Sequence, residues 1–380
     1  MTGLYPEAHG VQQWRPGPNL RLAEGVPTLA RVLSEHGWRT EAYTGGGNVR
    51  AELGFDAGFD VYESHGHEVD GIVDRADAAL RRLAEGAEPF LLFVHTFGVH
   101  DPYLPPEAYA AQFVDPRYDG AIVHAPRALQ VESAATGQTR AEVFWSKVDP
   151  GSAADRQHLL NLYDACIAHV DAQLGRLVET LDELGLSEDT VLVFTADHGE
   201  EFGEHGGFKH NTAYEELLRV PLLVVSPTDL GARPGTRVDD PVRLIDVTPT
   251  VLDLLGLPPL SPSHGRSLGA SLRGGSLRPA PLASQWLRGW LHTLQVGDHK
   301  LIFRQGDPPS FELYDLAADP GEQHDIARAR PELVIQLMDR LQQLRQGSRE
   351  VYERYGMGGV VELDAGARSD LEALGYLGGR

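Results

Sequence analysis

Short apolar runs alternate with helical patterns along most of the chain, and this alternation constrains the fold more than any other feature of the sequence. The apolar runs predict strands at 40–44, 90–94, 191–195 and 220–225, and spacings of three and four residues predict helices at 26–36, 70–85, 155–184 and 245–255. Strands that alternate with helices are typical of an α/β domain with a mostly parallel sheet, whose strands are buried on both faces. Ligands of such sheets bind beyond the carboxyl ends of the strands, so the residues after each strand are the first candidates for a site.

The clearest helix is the one predicted at 155–184. Its predicted apolar face carries Ile167, Val170, Leu174, Leu177 and Leu181. Cys166, the one cysteine of the chain, lies among apolar residues of this helix, so we interpret it as a core thiol. A single cysteine also excludes an intrachain disulfide.

The character of the sequence divides the chain into three parts. We predict a core domain over 1–274, in which the weakly periodic segment 115–150 makes a long excursion near the site. Residues 275–346 are predicted to form a small α+β subdomain, with a hairpin around Gly297-Asp298, a strand at 311–316 and a helix at 332–344. The remainder, 347–380, is predicted to be a Gly-rich and loosely held tail.

The charge balance excludes some classes of partner. Lys and Arg number 33 against 55 Asp and Glu, which gives a formal net charge of −22. This field repels nucleic acids and anionic membranes, so we predict neither as a partner, and an anionic substrate would need a local cation. No apolar run is long enough to span a bilayer, and no signal peptide opens the chain.

The stretch VLVFTADHGEEFGEHGGFKH runs from a predicted strand directly into ionisable residues. Asp197 and His198 come first, and a carboxylate with an imidazole suits a divalent cation. A capping Asp beside a surface His is the alternative, because two donors alone do not define a metal site. We interpret Glu200, Glu201 and Glu204 as a solvated loop, with further metal ligands as the alternative.

Lys209 and His210 end the same stretch. Either side chain could neutralise charge on the leaving oxygen of an anionic ester, or give it a proton. The alternative is an exposed Lys-His pair without a chemical role.

A second group of residues lies in FLLFVHTFGVHDPYLPP, where a predicted strand ends at His95 and is followed by His100. A lone histidine is more often a structural residue than a ligand. Here the predicted strands at 90–94 and 191–195 are both followed by histidines. If both strands belong to one sheet, these histidines favour a shared site at its carboxyl edge.

Several of these segments resemble the sulfatase family of the alkaline-phosphatase-like superfamily. The resemblance rests on four regions, which follow one another along this chain as they do in the family. They are VPTLARVLSEHGWRTEAYTGGG, FLLFVHTFGVHDPYLPP, TADHGEEFGEHG with KHNTAYEELLRVPLLV, and FELYDLAADPGEQHDI. It implies an α/β/α sandwich with a mostly parallel central sheet and a small C-terminal α+β domain. It also implies hydrolysis of sulfate monoesters with a formylglycine nucleophile and a divalent metal ion, commonly Ca²⁺, with Mn²⁺ or Zn²⁺ as further possibilities.

The resemblance also assigns residues. Asp197 and His198 match the metal-binding Asp-Asn or Asp-His pair of the family, and His100 matches its substrate-contacting histidine. The catalytic lysine of the family lies four residues before a Tyr-Glu pair. Counting back four residues from Tyr214 gives His210, whereas the residue type favours Lys209, and both stay open. The substrate implied is a small anionic ester.

The opening MTGLYPEAHGV is similar to the segment that follows the nucleophile motif in this family. The chain contains neither a Cys/Ser-x-Pro-Ser-Arg motif nor an early Asp pair, so we expect the first strand and the nucleophile to be missing and the chain as written to be inactive. An export signal could precede Met1. The family's Gly-Lys-Trp-His stretch is replaced around 43–49 by glycines and Asn48.

Two alternatives stay open beside the sulfatase interpretation. One is a phosphate or phosphonate ester hydrolase of the same superfamily, because sulfate and phosphate esters are nearly isosteric. The other is a non-catalytic product, either a truncated chain or a pseudoenzyme. No feature of the sequence indicates the oligomeric state or the location of the protein.

Overall fold

The computed structural model of the protein describes residues 1–11, 19–64, 66, 68–286, 290–363, 366 and 368. The chain forms two compact units. Unit 1 contains Met1–Val32, Ser187–Glu201 and His210–Val361, and unit 2 contains Leu33–Leu186, Phe202–Lys209 and Glu362–Arg380. These units do not correspond to the predicted core domain and C-terminal subdomain, which were divided at residue 274. That division stays a prediction.

The elements are numbered in chain order. The strands are β1 (Asn19–Leu20), β2 (Arg39–Thr44), β3 (Val61–Ser64), β4 (Phe90–His95), β5 (Leu192–Thr195), β6 (Glu201–Phe202), β7 (Phe208–Lys209), β8 (Leu222–Val225), β9 (Leu282–Trp286), β10 (Leu291–Val296), β11 (His299–Arg304), β12 (Ser310–Asp315) and β13 (Val360–Val361). The α-helices are α1 (Pro6–His9), α2 (Leu29–Glu35), α3 (Val69–Ala84), α4 (Glu107–Phe113), α5 (Pro126–Thr136), α6 (Arg140–Trp145), α7 (Ala153–Glu183), α8 (Glu215–Leu218), α9 (Val247–Leu254), α10 (Gly269–Leu272) and α11 (Pro331–Tyr355). Within the described residues, no helix combines the length and the apolar character that crossing a membrane requires.

A parallel sheet of order β3-β2-β4 lies in unit 2, as the alternating pattern predicts. Thr44, at the end of β2, pairs with Ser64 on one side and with His95 on the other. The three strands therefore end together at one edge of the sheet. Helix α3 covers the sheet with Ile72 and further small apolar residues, which pack against Tyr43.

Helix α7 begins where Ser152 caps it, since the Ser152 hydroxyl accepts the backbone N–H of Asp155 at 3.1 Å. The helix is confirmed, but its buried face differs from the predicted one, because Ile167 is 43% exposed while Leu162 and Cys166 are buried. Burial raises the pKa of the Cys166 thiol to about 12, as expected of a core thiol.

Strands β5 and β8 of unit 1 pair antiparallel, with Leu192 opposite Val225. The sequence did not predict this direction, and it predicted strands buried on both faces. Instead Phe194, Leu223 and Val225 are exposed. Among the described strands, β5 and β8 pair only with each other, so each is an edge strand without the neighbouring strands that surround a central one.

Unit 1 also contains an antiparallel sheet of order β12-β11-β10-β9, which includes the predicted hairpin. Val296 pairs with His299 across Gly297-Asp298. Helix α11 packs Leu337 and Leu341 against this sheet. It continues to Tyr355, beyond the predicted end at 344, because its last turns carry apolar side chains that pack on another cluster of unit 1.

The predicted tail and the predicted excursion both contain regular structure. Strand β13 pairs with β1, so the tail is held up to Val361, and most of 364–380 lies outside the described residues. The segment 115–150, predicted as a long excursion from its weak periodicity, contains helices α5 and α6. A capping box between Thr139 and Glu142 starts α6, and the buried Phe144 anchors it in the core of unit 2.

Candidate active site

The turn after β5 carries the two predicted metal ligands, Asp197 and His198, in unit 1. The backbone N–H of His198 donates to Asp197 Oδ1 at 3.1 Å, and His198 Nδ1 lies 2.9 Å from the carbonyl oxygen of Gly199. Because a carbonyl oxygen only accepts, Nδ1 carries the ring proton and Nε2 carries the lone pair. The Asp197 side chain is 72% exposed. The turn thus presents a carboxylate and an oriented imidazole nitrogen side by side.

Gly199 allows this turn to lie directly on helix α8. Its N–H donates to the carbonyl oxygen of Leu217 at 2.8 Å. A β-carbon at this position would overlap the carbonyl oxygen of Glu216 and would lie 3.1 Å from its carbonyl carbon. Glycine is therefore required by close approach of two backbone segments, both in unit 1.

His210, predicted as a candidate catalytic residue, lies beside His198 in unit 1, with ring centroids 4.5 Å apart. Its Nδ1 is 3.0 Å from Glu200 Oε1. Because Glu200 and Glu201 are buried, the prediction of a solvated loop is wrong for them. Glu201 also accepts a hydrogen bond from Thr212 Oγ1, at 3.0 Å, so both carboxylates are held in place by hydrogen bonds to partners within unit 1.

His100, the other predicted histidine, lies in unit 2 beyond the end of β4 and is 8% exposed. Its Nδ1 is 2.7 Å from the carbonyl oxygen of Asp101, so its lone pair also lies on Nε2. Phe97 packs edge-on against His100, with ring centroids 5.5 Å apart. A β-carbon at Gly45 would lie 2.7 Å from the Phe97 ring, which explains glycine after β2 by packing.

Lys209 is the fifth predicted residue, and it lies in unit 2 with a left-handed backbone (φ 71°). Its Nζ is 3.6 Å from Asp101 Oδ2 and 4.8 Å from the centroid of the Trp145 ring. Trp145 Nε1 donates to the same Asp101 oxygen at 2.7 Å. The structure therefore groups Asp197, His198 and His210 in unit 1, and His100 and Lys209 in unit 2.

Three residues of these groups were missed by the sequence analysis: Glu200, Asp101 and Trp145. Asp101 directly follows His100, so its place beside a candidate residue was a usable signal. Glu200 follows the candidate metal ligands, but its burial has no local signature. Trp145 lies in the weakly periodic segment and gave no signal at all.

Comparison with known proteins identifies the family. A family model described as Sulfatase matches residues 1–257. Arylsulfatase K of Bos taurus is 31% identical over 195 residues, which cover 48% of this chain and 36% of that protein. The N-acetylglucosamine-6-O-sulfatase of Bacteroides thetaiotaomicron is 31% identical over 185 residues, which cover 45% of this chain and 32% of that protein. The chain thus spans about a third of the length of the curated relatives it matches.

Solved structures agree with this family at the level of the fold. A protein solved in complex with its substrate D-glucosamine-2-N,6-O-disulfate has a TM-score of 0.72 and 19% identity, over 91% of this chain and 87% of that one. The phosphonate monoester hydrolase of Agrobacterium radiobacter has a TM-score of 0.68 and 22% identity, over 91% and 84%. These similarities confirm the predicted alkaline-phosphatase-like fold. Because the Sulfatase family model matches well over half of the residues of this chain, the chain belongs to the sulfatase family.

Proposed function

We propose that the protein takes part in metal-dependent hydrolysis of sulfate monoesters. The observation that carries this proposal is the turn after β5, where Asp197 and His198 present two metal donors whose orientation is fixed by backbone contacts. The names of the relatives, arylsulfatase K and N-acetylglucosamine-6-O-sulfatase, support a sulfate ester as the substrate.

The donor set at this turn fits a divalent cation. The Asp197 carboxylate would supply a hard oxygen ligand, which suits Ca²⁺, and the Nε2 of His198 would supply a nitrogen, which suits Mn²⁺ or Zn²⁺ better. When bound, the ion would supply positive charge next to the oxygens of the ester. Two donors of one turn bind an ion only weakly, so further ligands belong to the complete site.

The remaining candidate residues have side chains whose chemistry suits an anionic ester. The Lys209 ammonium is a compact cation that can hold an anionic oxygen, and the Nε2 of His100 or of His210 can accept a proton or, once protonated, give it to a leaving oxygen. Glu200 orients His210 through Nδ1. The family's nucleophile motif does not occur in the 380 residues, so we assign no nucleophile here and expect no turnover by this chain alone.

Charge favours a sulfate over a phosphate monoester. A sulfate monoester carries one negative charge, whereas a phosphate monoester carries about −1.5 to −2 at neutral pH. The net charge of −22 and the Asp101 carboxylate beside Lys209 both oppose the more highly charged ester. A phosphonate monoester also carries a single charge, and the fold similarity to a phosphonate monoester hydrolase keeps that substrate as the second candidate.

Substitution of a donor tests the metal site. We expect Asp197→Asn and His198→Gln each to weaken binding of Mn²⁺ or Ca²⁺ about tenfold or more, since each removes one of few ligands. Isothermal titration of the purified chain measures this, with Asp229→Asn, an exposed aspartate of unit 1, as the matched control. Equal affinities in the wild type and both variants would remove Asp197 and His198 from the site.

A second experiment tests the activity itself. Intact-mass and N-terminal mapping of the protein from its native source, followed by assay on 4-nitrophenyl sulfate, phosphate and phenylphosphonate, separates the three interpretations. A native chain that includes the motif Cys/Ser-x-Pro-Ser-Arg, with its first residue converted to formylglycine, should prefer the sulfate ester. A preference for phosphonate would establish the second candidate, and a native chain that starts at Met1 without turnover would establish a non-catalytic product.

A further inference from the structure

Lysine is rare in this chain, and its three occurrences differ sharply in their surroundings. Lys147 pairs with Glu132 at 2.5 Å, and Lys300 is buried in a structural ion pair. The third lysine, Lys209, is 31% exposed and lies among the candidate site residues of unit 2. The other 30 of the 33 basic side chains are arginines, and the ammonium group of a lysine is more compact than their guanidinium group.

Three side chains from three segments of unit 2 form a closed triangle around this ammonium group. Trp145 Nε1 donates to Asp101 Oδ2 at 2.7 Å, and Lys209 Nζ approaches the same oxygen at 3.6 Å. The Trp145 ring lies under Lys209 Nζ at 4.8 Å, within the range of a cation–π contact. At 3.6 Å the ammonium group is attracted to the Asp101 carboxylate by charge but lies beyond the length of a direct hydrogen bond.

The triangle is supported by rigid neighbours. Asp101 is 5% exposed, so its carboxylate has little room to move. Trp145 packs against the fully buried Tyr103, with ring centroids 6.2 Å apart, and against Phe208 at 5.9 Å. Phe208 directly precedes Lys209, so Trp145 fixes both the backbone that carries the lysine and its charged end.

We infer that Trp145 and Asp101 are positioning residues, which hold the Lys209 ammonium ready for the anionic oxygens of a sulfate ester. This inference rests on the proposed function. A lysine side chain loses considerable rotamer freedom when it binds a ligand. Prior confinement by Trp145 and Asp101 lowers that loss, so it strengthens binding without a direct contact to the ligand.

The confinement has a direct spectroscopic signature. With three lysines, ¹³Cε-lysine labelling gives three methylene signals, and Lys209→Arg identifies the one from Lys209. We expect its protons upfield of the other two because the Trp145 ring shields them. Trp145→Phe and Asp101→Asn should each move the signal towards the other lysines, while Trp290→Phe, at an exposed tryptophan, should not. An unshielded Lys209 signal in the wild type would overturn the inference.

Sulfate affinity provides the second test, since the sign of the Asp101→Asn effect separates two roles. If Asp101 positions Lys209, Asp101→Asn and Trp145→Phe each weaken sulfate binding about two- to tenfold, and their combination adds little. If Asp101 merely neutralises Lys209, Asp101→Asn strengthens binding, and the inference is wrong. Unchanged affinity in both variants also rejects it but leaves the proposed function intact. Absence of sulfate binding by the wild type, with the shielded signal present, would instead reject the proposed function and the ligand assigned to Lys209.

Discussion

Replacement of Lys300 by methionine is expected to lower the free energy of unfolding by about 3–5 kcal/mol, because it leaves the buried carboxylate of Glu322 without its cation. Lys300 on β11 is 1% exposed, and its Nζ lies 2.8 Å from Glu215 Oε1 and 2.9 Å from Glu322 Oε1. The Glu322 side chain is fully buried, so water cannot replace the lost ammonium group. Methionine keeps most of the volume of the side chain. Urea unfolding at pH 7 measures the effect.

The double variant Lys300→Met with Glu322→Gln is the control. Glu322 Oε2 accepts the backbone N–H of Glu215 at 2.6 Å, and the amide oxygen of glutamine can keep that bond without a charge. The double variant should therefore recover most of the lost stability. Equal losses in the single and double variants would show that packing, not charge, is responsible.

The pH dependence of the single variant follows from Glu322. Burial raises the pKa of this carboxyl above its usual value, so the folded state binds its proton more tightly than the unfolded state does. The stability gained from protonation is present at acid pH and is lost as the pH rises through the raised pKa. Removal of Lys300 withdraws a cation that lowers this pKa. The destabilisation by Lys300→Met should therefore be smaller at pH 5 than at pH 7.

This ion pair bears on the candidate site through helix α8 of unit 1. Glu215 is the first residue of α8, and Lys300 ties it to the antiparallel sheet. The carbonyl oxygens of the next two residues, Glu216 and Leu217, face Gly199. The C-terminal sheet therefore anchors the backbone against which the turn of Asp197 and His198 rests.

Local patterns in the sequence were sufficient for much of the fold. The parallel sheet of unit 2 follows from apolar runs that alternate with helices, and the hairpin at Gly297-Asp298 follows from its turn residues. Asp197 and His198 could be predicted as neighbours because one turn carries both. These features depend on contacts between residues that are close in the sequence, or on periodicity that a single segment displays.

Features that depend on distant contacts could not be predicted in this way. The antiparallel pairing of β5 with β8 depends on which edges meet, and no local pattern records that choice. Lys300 and Glu215 are 85 residues apart, so neither segment reveals the partner of its charge. Trp145 likewise reaches Asp101 across 44 residues, and only the folded chain shows that it supports a candidate site residue.

Replacement of Gly199 by alanine is expected to destabilise the protein by about 2–3 kcal/mol and to abolish metal binding at the turn after β5. The new β-carbon would overlap the carbonyl oxygen of Glu216, and the atoms around it belong to the backbone of α8, which cannot rotate away as a side chain could. The turn must therefore move. Such a movement breaks the hydrogen bond from Gly199 to Leu217 and displaces Asp197 and His198. Urea unfolding and Mn²⁺ titration measure the two effects.

Gly347→Ala is the matched control in unit 1. Gly347 lies within α11 and has open space around the position of a β-carbon, so alanine there should stabilise the protein by about 0.5–1 kcal/mol through helix propensity and leave metal binding unchanged. If the glycine-to-alanine change lowers the stability at Gly199 and raises it at Gly347, the loss at Gly199 is due to its close contact with the backbone of α8. If Gly199→Ala kept both stability and metal affinity, the turn would have to be flexible, and the fixed orientation of Asp197 and His198 on which the proposed metal site depends would be refuted.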